Sequence, residues 1–203
     1  EINYERCLDE DTKSLKIGVI KNLESFGISD SVLKAYEASL TILESLGHKL
    51  IEVDFSELSS GICSYYVIAP AECSSNLSRF DGVKFGHRTN KQQDISELYM
   101  STRAEGFGDE VKKRILIGTH VLSAGFYDAY YLKAQKVRRM IKNKFEEMYK
   151  DVDLIFMPTT LDQAFEKNRQ SEDPNRMYKE DLLTIPANLA GLPAISFPNG
   201  FQN

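Results

Sequence analysis

Short runs of apolar residues, separated by longer polar or periodic segments, predict four β-strands along the chain. The first run, Lys16-Ile-Gly-Val-Ile20, is rich in β-branched residues, which favour the extended backbone of a strand. The other three are residues 50–53, 153–157 and 194–197. Pro158 ends the third strand, because proline cannot donate a hydrogen bond to a neighbouring strand.

Between these runs, apolar residues that recur at steps of three and four predict helices. One helix spans residues 30–46 and stops before Gly47, a residue type suited to the left-handed turn after a helix. Further helices are predicted at residues 59–77 (despite Pro70), 97–104, 109–120, 123–150 and about 177–183. Asp81-Gly82 indicates a turn, and the polar residues 159–175 indicate a long surface loop.

The longest predicted helix, residues 123–150, has an apolar stripe on one side and cations mostly on the other. The stripe consists of Phe126, Tyr130, Ala134, Val137, Ile141 and Phe145. Because strands alternate with helices along the chain, we predict an α/β fold, in which helices flank a layered mixed β-sheet.

Composition and charge indicate a globular protein and count against an overall attraction to nucleic acid or membranes. The chain has 203 residues, 42% hydrophobic and 27% charged, which is ordinary for one globular domain with a sizeable core. Its formal net charge of −5 gives no overall attraction to nucleic acid or to an anionic membrane. No segment approaches the run of about 18 apolar residues that a membrane-spanning helix needs.

Cysteine usage favours a reducing compartment. Cys7, Cys63 and Cys73 are odd in number and include no CxxC pair, so neither a disulfide framework nor a zinc site is indicated. A cysteine nucleophile served by His87 or His120 is an alternative that the spacing does not support. Small buried or surface thiols are the commoner role.

Three segments together resemble the amidase signature family. They are residues 65–82 (YYVIAPAECSSNLSRFDG), residues 103–138 (beginning RAEGFGDEVKKRILIG) and residues 181–196 (DLLTIPANLAGLPAIS). The AExSSNLxR stretch is similar to one branch of that family, the A subunits of the tRNA-dependent amidotransferases. The resemblance runs from about Lys16 to Gly200, with departures at residues 161–163 and 197–199. It implies one partial amidase signature domain over residues 1–203, the central to C-terminal part, truncated at both ends.

The resemblance implies the glutamine-binding part of a glutaminase subunit. In the family, a Lys–Ser–Ser triad, with one serine held by a cis peptide, attacks the side-chain amide of glutamine. The released ammonia passes to a B subunit, which amidates activated Glu-tRNA(Gln). The implied partners are therefore B and C subunits, glutamine and, through the complex, tRNA. ATP and magnesium are implied for the partner subunit, with no cofactor and no metal in this chain. The implied location is the bacterial cytoplasm or an organelle.

The family's triad lies upstream of the segment that corresponds to Lys16. The closest serine-rich runs here, Ser59-Ser60-Gly61 and Ser74-Ser75, fall in segments that match other parts of the family. We therefore assign no catalytic residue and expect the chain by itself to be inactive.

The resemblance assigns substrate binding to three residues. Arg114 corresponds to the partner of the α-carboxylate, Asp181 to the partner of the α-ammonium, and Tyr65 to a tyrosine that contacts the substrate. An arginine suits the first role because its planar fork offers two parallel donors to a carboxylate. From residue type alone, the three would be a surface charge, a helix-face carboxylate and a core aromatic residue.

Other interpretations stay open at this stage. The chain is alternatively part of another amidase-signature hydrolase that acts on a different amide, or a stand-alone module that binds a substrate or nucleic acid. The basic run from Lys133 to Lys144 offers a contact for tRNA phosphates. Because Glu146 and Glu147 accompany it, a solvated helix face is the more usual role.

Overall fold

A computed structural model of the chain describes residues 13–56, 58–90, 94–165 and 179–201. These residues form two compact units. One unit contains the chain up to residue 62 and again from residue 140, and the other contains residues 63–139. None of the helices in the described ranges is both long enough and apolar enough to cross a membrane.

The first unit contains a three-stranded parallel sheet with the order β2-β1-β3. Strand β1 spans Lys16–Ile20, β2 spans Lys49–Val53 and β3 spans Leu154–Phe156. In the middle strand, Ile17 is paired with Leu50 on one side and with Leu154 on the other. Ile17 is 2% exposed, as expected for an apolar residue of a central parallel strand. The predicted α/β class is confirmed, and both strand pairings seen in the described residues are parallel where a mixed sheet was expected.

The fourth predicted strand, at residues 194–197, does not form. This backbone has no strand partner in the part of the chain that the structure describes, and Ile195 is 87% exposed. Pro193 and Pro198 flank the run and cannot donate ladder hydrogen bonds, so a strand here could not extend beyond these residues. Side chains attach it instead: the amide of Asn199 donates to the carbonyl oxygen of Ala35 over 3.3 Å.

Helix α1, Asp30–Ser45, follows β1 and agrees with the prediction to within one residue. Gly47 adopts a φ of 86° just after it, the left-handed conformation expected of a residue that ends a helix. Tyr36 of α1 is buried, its ring stacks on that of Phe156 at 5.4 Å, and its hydroxyl donates to the Phe156 carbonyl oxygen over 3.0 Å. This residue therefore joins α1 to strand β3.

Helix α2, Leu58–Leu77, forms as predicted with Pro70 inside it. Helices α3, Ile95–Gly106, and α4, Asp109–Val121, also match predicted segments. Helix α3 begins two residues before the predicted start, because its first turn is fixed by the Asp94 carboxylate, which accepts a hydrogen bond from the Glu97 N–H over 2.8 Å. Asp81 and Gly82 form the predicted turn, with Gly82 at a φ of 76°.

The predicted continuous helix over residues 123–150 is wrong in its first part. A single π-helical turn, Tyr127–Tyr131, precedes α5, Leu132–Met148. A π turn holds more residues than an α turn, so the three-and-four spacing of an α-helix does not predict which side chains are buried across it. Phe126 and Tyr130 are accordingly 39% and 49% exposed, whereas Ala134, Ile141 and Phe145 of the same stripe are buried.

The short helix predicted near residues 177–183 is also displaced along the chain. Residues 177 and 178 lie outside the described residues, and residues 180–184 form turns. Helix α6 spans Ile185–Ala190 instead, because Pro186 fits the first turn of a helix and interrupts a helix that has already begun. Of the predicted loop at residues 159–175, the described part is irregular as expected, although Leu161 within it is buried.

Helices α2 and α4 approach so closely that their backbones meet at Gly118. A Cβ atom on Gly118 would lie 1.9 Å from the Pro70 carbonyl oxygen and 2.7 Å from the Ser74 Cβ. Next to this point, the Ser74 and Thr119 hydroxyls share a hydrogen bond of 2.9 Å. Only a residue without a side chain allows the two helices this separation.

We predict that Gly118→Ala lowers the free energy of unfolding by about 3 kcal/mol or more, because overpacking against backbone leaves no flexible atom to yield. Thermal unfolding followed by circular dichroism measures the effect. Gly200→Ala is the matched control, since Gly200 has an exposed backbone with no heavy atom within 4 Å of an added Cβ. Equal midpoints for the two variants would contradict the close approach of α2 and α4.

A second prediction concerns Tyr36. Burial raises the pKa of Tyr36 to about 12 from 10.0, so the folded state favours the neutral phenol. The raised pKa therefore adds no penalty to the free energy of unfolding below pH 10. As the pH rises from 10 toward 12 the unfolded chain loses this proton first, so the free energy of unfolding falls. Tyr36→Phe should cost about 1 kcal/mol at neutral pH through the lost hydrogen bond, and should remove this part of the alkaline loss. Urea unfolding of both proteins between about pH 8 and pH 11 tests this, and identical pH slopes would refute it.

Candidate functional site

The three residues predicted to bind substrate lie on both units. Tyr65 on α2 and Arg114 on α4 belong to the unit of residues 63–139. Helices α2 and α4 meet at Gly118. Asp181 belongs to the other unit and lies in the turns before α6. No hydrogen bond or ion pair joins Tyr65 to Arg114 among the contacts of the described residues.

Arg114 lies on the second turn of α4 with its side chain 43% exposed. Its Nε lies 3.3 Å from the Glu110 Oε1, an ion pair between residues one helical turn apart. Its two terminal nitrogens make no hydrogen bond to any other described residue. The end of the guanidinium fork is therefore available for two parallel hydrogen bonds to a carboxylate.

The ion pair with Glu110 is too weak to explain an arginine at this position. Exposed pairs one helical turn apart contribute roughly 0.3–0.5 kcal/mol. A second pair on the same helix, between Lys112 and Asp109 at 3.7 Å, is of the same weak kind. The two pairs therefore contribute little to the stability of α4.

Tyr65 is half-buried on α2, and its ring packs edge-on against that of Tyr66 with 5.1 Å between centroids. The neighbouring ring fixes the orientation of the Tyr65 ring. The Tyr65 hydroxyl has no hydrogen-bond partner within the described ranges. This arrangement suits a side chain that presents a fixed apolar surface and one polar atom to a ligand.

Asp181 is exposed, and its backbone carbonyl group is held by the residues that follow it. Its carbonyl oxygen accepts hydrogen bonds from the Ile185 N–H over 3.0 Å and from the Thr184 N–H over 3.2 Å. The next two residues, Leu182 and Leu183, are buried at 6% and 0% exposure. The Asp181 carboxylate makes no hydrogen bond within the described part of the chain, so a well-positioned negative charge is available to an ammonium group.

A polar cluster that was not predicted from the sequence joins α3 to the loop after α2. The His87 Nε2 lies 3.0 Å from the Glu105 Oε2, and the Thr89 hydroxyl donates to the other Glu105 oxygen over 3.0 Å. The Thr89 N–H donates to the Thr102 hydroxyl over 3.1 Å, and both threonines are buried. A cavity of about 260 Å³ adjoins the cluster and is lined by Phe80, Gly86, His87, Thr102, Gly106 and Phe107.

The residues beside this cluster hold the loop in place. The Asp81 carboxylate accepts hydrogen bonds from the Val83 and Lys84 N–H groups, and these bonds, that from Val83 first, hold the pKa of Asp81 below its usual range. The Arg103 guanidinium donates to the carbonyl oxygens of Leu77 and Phe80. Glycines that recur in this region are the sequence feature that could have indicated the close packing of the loop on α3. A Cβ at Gly82, for example, would lie 2.6 Å from the Thr102 methyl group.

The described residues contain neither a cysteine paired with a histidine nor a metal site. Cys63 is exposed and Cys73 is half-buried, and neither hydrogen-bonds to a histidine there, while Cys7 lies outside the described ranges. His87 is engaged with Glu105, and the His120 ring packs at a tilt against that of Phe126 with 4.2 Å between centroids. Among the described residues, no group of three histidine, cysteine or acidic side chains is arranged to hold a metal ion.

Comparison with known proteins gives a consistent result. Residues 3–203 match the Amidase family. The A subunit of glutamyl-tRNA(Gln) amidotransferase from Hahella chejuensis is 50% identical over 98% of this chain, and its counterpart from Thermosynechococcus vestitus is 48% identical over 99%. The chain spans 41% and 42% of the length of these two relatives.

Solved structures agree with the sequence comparisons. The crystal structure of the A subunit of glutamyl-tRNA(Gln) amidotransferase from Thermotoga maritima is similar with a TM-score of 0.66 and 40% identity, covering 93% of this chain and 36% of that one. The crystal structure of an amidase has a TM-score of 0.64 at 19% identity, covering 94% of this chain and 40% of that one, and shows the shared fold alone. Because the family match extends over residues 3–203, the chain belongs to the amidase family.

Proposed function

We propose that this chain is the glutamine-binding part of the glutaminase subunit of a tRNA-dependent amidotransferase. In this function, ammonia released from glutamine converts Glu-tRNA(Gln) to Gln-tRNA(Gln). The observation that carries the proposal is the identity of 48–50%, over almost the whole chain, with proteins named as the A subunit of glutamyl-tRNA(Gln) amidotransferase. Another amidase-signature hydrolase is less favoured, because the solved amidase of that kind is only 19% identical.

Three side chains bind the substrate in this proposal. The terminal nitrogens of Arg114 hold the α-carboxylate of glutamine, and the Asp181 carboxylate holds its α-ammonium. Tyr65 contacts the substrate through its ring edge and hydroxyl. The support is that both charged groups are accessible and have weak or no competing partners among the described side chains.

The remaining parts of the function lie outside this chain. We expect B and C subunits as partners, with ATP and magnesium used by a partner subunit, tRNA bound through the complex, and no cofactor held by this chain. The odd number of cysteines and the lack of a CxxC pair favour a reducing compartment, the bacterial cytoplasm or an organelle.

The central prediction is that Arg114→Ala and Asp181→Asn each raise the KM for glutamine of the full-length complex about ten- to a hundredfold. A hydrogen bond to a charged group contributes roughly 1.5–3 kcal/mol, which corresponds to such a loss. Amidation driven by free ammonia should be unaffected, because ammonia bypasses the glutamine site. Arg114→Lys should recover activity only in part, since a point charge lacks the planar fork.

Glu110→Gln is the matched control for Arg114. It removes the same ion pair but leaves the guanidinium, so a structural role of the pair would make it as harmful as Arg114→Ala. We expect an unchanged KM for glutamine. Equal losses with both nitrogen sources, or no loss in either substrate-binding variant, would exclude the assignment.

A further prediction concerns the 203-residue chain by itself. Because none of its serines matches the family's nucleophile, it should release no ammonia from glutamine above the rate in buffer. A coupled glutamate dehydrogenase assay measures the release. Turnover that disappears on mutation of Ser60 or Ser74 to alanine would show that the chain contains its own nucleophile.

A further inference from the structure

The helical segment from Tyr127 to Arg139 exposes a series of aromatic and basic residues at steps of three. The series consists of Tyr127, Tyr130, Lys133, Lys136 and Arg139, and all five are exposed. Residues three apart on a helix adjoin each other, so the three cations form one ridge with Tyr130 at its end. At a rise of about 1.5 Å per residue the series is roughly 18 Å long. We call these five residues the Tyr–Lys ridge.

The two tyrosine rings of the ridge are held in place from behind. Tyr130 packs on Phe126 with 5.9 Å between centroids, and Phe126 packs on His120 at 4.2 Å. Tyr127 stacks on Tyr131 at 5.1 Å, and the Tyr131 hydroxyl donates to the Glu72 carboxylate over 3.3 Å. Tyr127 and Tyr130 are nevertheless 40% and 49% exposed, so each retains open aromatic surface for a ligand.

The charge along this segment is unbalanced in a chain that is acidic overall. Residues 127–145 contain six cations and one acidic residue, Asp128, although the whole chain has a net charge of −5. Lys133, Lys136 and Arg139 form no ion pair with any described residue. The ion pairs nearest to them, Lys142 with Glu146 and Lys144 with Glu147, lie at the other end of α5.

Helix stability does not account for this arrangement. The helix dipole favours acidic residues near the N-terminus and basic residues near the C-terminus. Helix α5 has the opposite order, because its cations come first and Glu146 and Glu147 occupy its last turn. A lysine that precedes glutamate by four residues, as Lys142 precedes Glu146, is also the weaker orientation of such a pair.

From these observations we propose that the Tyr–Lys ridge binds a single-stranded polynucleotide. Two bases stack on the rings of Tyr127 and Tyr130, and the phosphates that follow lie along Lys133, Lys136 and Arg139. Exposed aromatic rings beside a row of cations are the combination by which proteins hold single strands without reading their sequence. That the strand is RNA rests on the proposed function, whereas the ridge itself recognises only bases and phosphates.

The test is fluorescence anisotropy of a labelled twelve-nucleotide oligoadenylate RNA with the full-length protein, without glutamine or ATP, over a range of salt concentrations. Replacing Lys133, Lys136 and Arg139 together by glutamine should weaken binding at least about tenfold at about 50 mM salt. It should also reduce the slope of log affinity against log salt by about 2, since each phosphate contact on a single strand contributes about 0.7. Tyr130→Leu should weaken binding about five- to a hundredfold with the slope unchanged.

Matched variants distinguish the ridge from general effects. Tyr130→Phe keeps the ring and should bind like the parent protein, which separates stacking from loss of fold. Lys112→Gln removes an exposed cation of α4, and Tyr99→Leu removes a tyrosine of α3 that is 38% exposed, and both should bind normally. Losses in these controls equal to those in the ridge variants would overturn the proposal.

The ligand is tested in parallel arms. A twelve-nucleotide DNA of the same sequence should also bind, because the ridge reads no sugar. A twelve-base-pair duplex and polyglutamate should bind at least about tenfold more weakly than the single-stranded RNA. Equal binding of either one would overturn the proposal. It would also be overturned if the full-length protein did not bind the single-stranded RNA at all. Anisotropy is independent of ammonia release, so Arg114→Ala should bind the RNA normally. Failure of the glutamine assignment and failure of the ridge therefore give separate results.

Discussion

The parallel pairing of β1 with both of its neighbours is the constraint on which the rest of the chain depends. Parallel strands cannot be joined by a tight turn and need a crossover of a dozen or more residues. Here the connection from β2 to β3 contains residues 54–153, and the whole unit of residues 63–139 lies within it. The sheet fixes both ends of this connection, so the helices that carry Tyr65 and Arg114 belong to one long crossover.

The elements that the sequence predicted correctly are those whose signals are local. Strand β1 is a β-branched run, and α1 has an uninterrupted apolar period that ends at Gly47, so neither needs information from elsewhere in the chain. The missed elements depend on less obvious features. The run at residues 194–197 is as apolar as a strand, but no strand lies beside it in the described residues, and a strand forms only with a partner. The π turn at Tyr127–Tyr131 adds one residue without interrupting the pattern of apolar positions.

The site was predictable to a different degree. Neither the spacing nor the residue type of Arg114, Asp181 and Tyr65 distinguishes them from ordinary surface or core residues, and resemblance to a family was needed to select them. The cluster of His87 with Glu105 and the two threonines was missed because its members are 13 to 18 residues apart and meet only when a loop folds onto α3. Function on this fold depends on such side chains, because solved proteins of 16–21% identity share the backbone arrangement.

The π turn before α5 also has a consequence for how this region tolerates insertions and deletions. A π turn holds about one residue more than an α turn over nearly the same rotation, so removing one residue from it would convert it to an ordinary α turn and leave the direction of the preceding residues almost unchanged. Removing one residue from within α5 would instead rotate one part of the helix against the other by about 100° and break the buried stripe of Ala134, Ile141 and Phe145. The π turn is therefore the place in this segment where the loss of one residue disturbs the packing least.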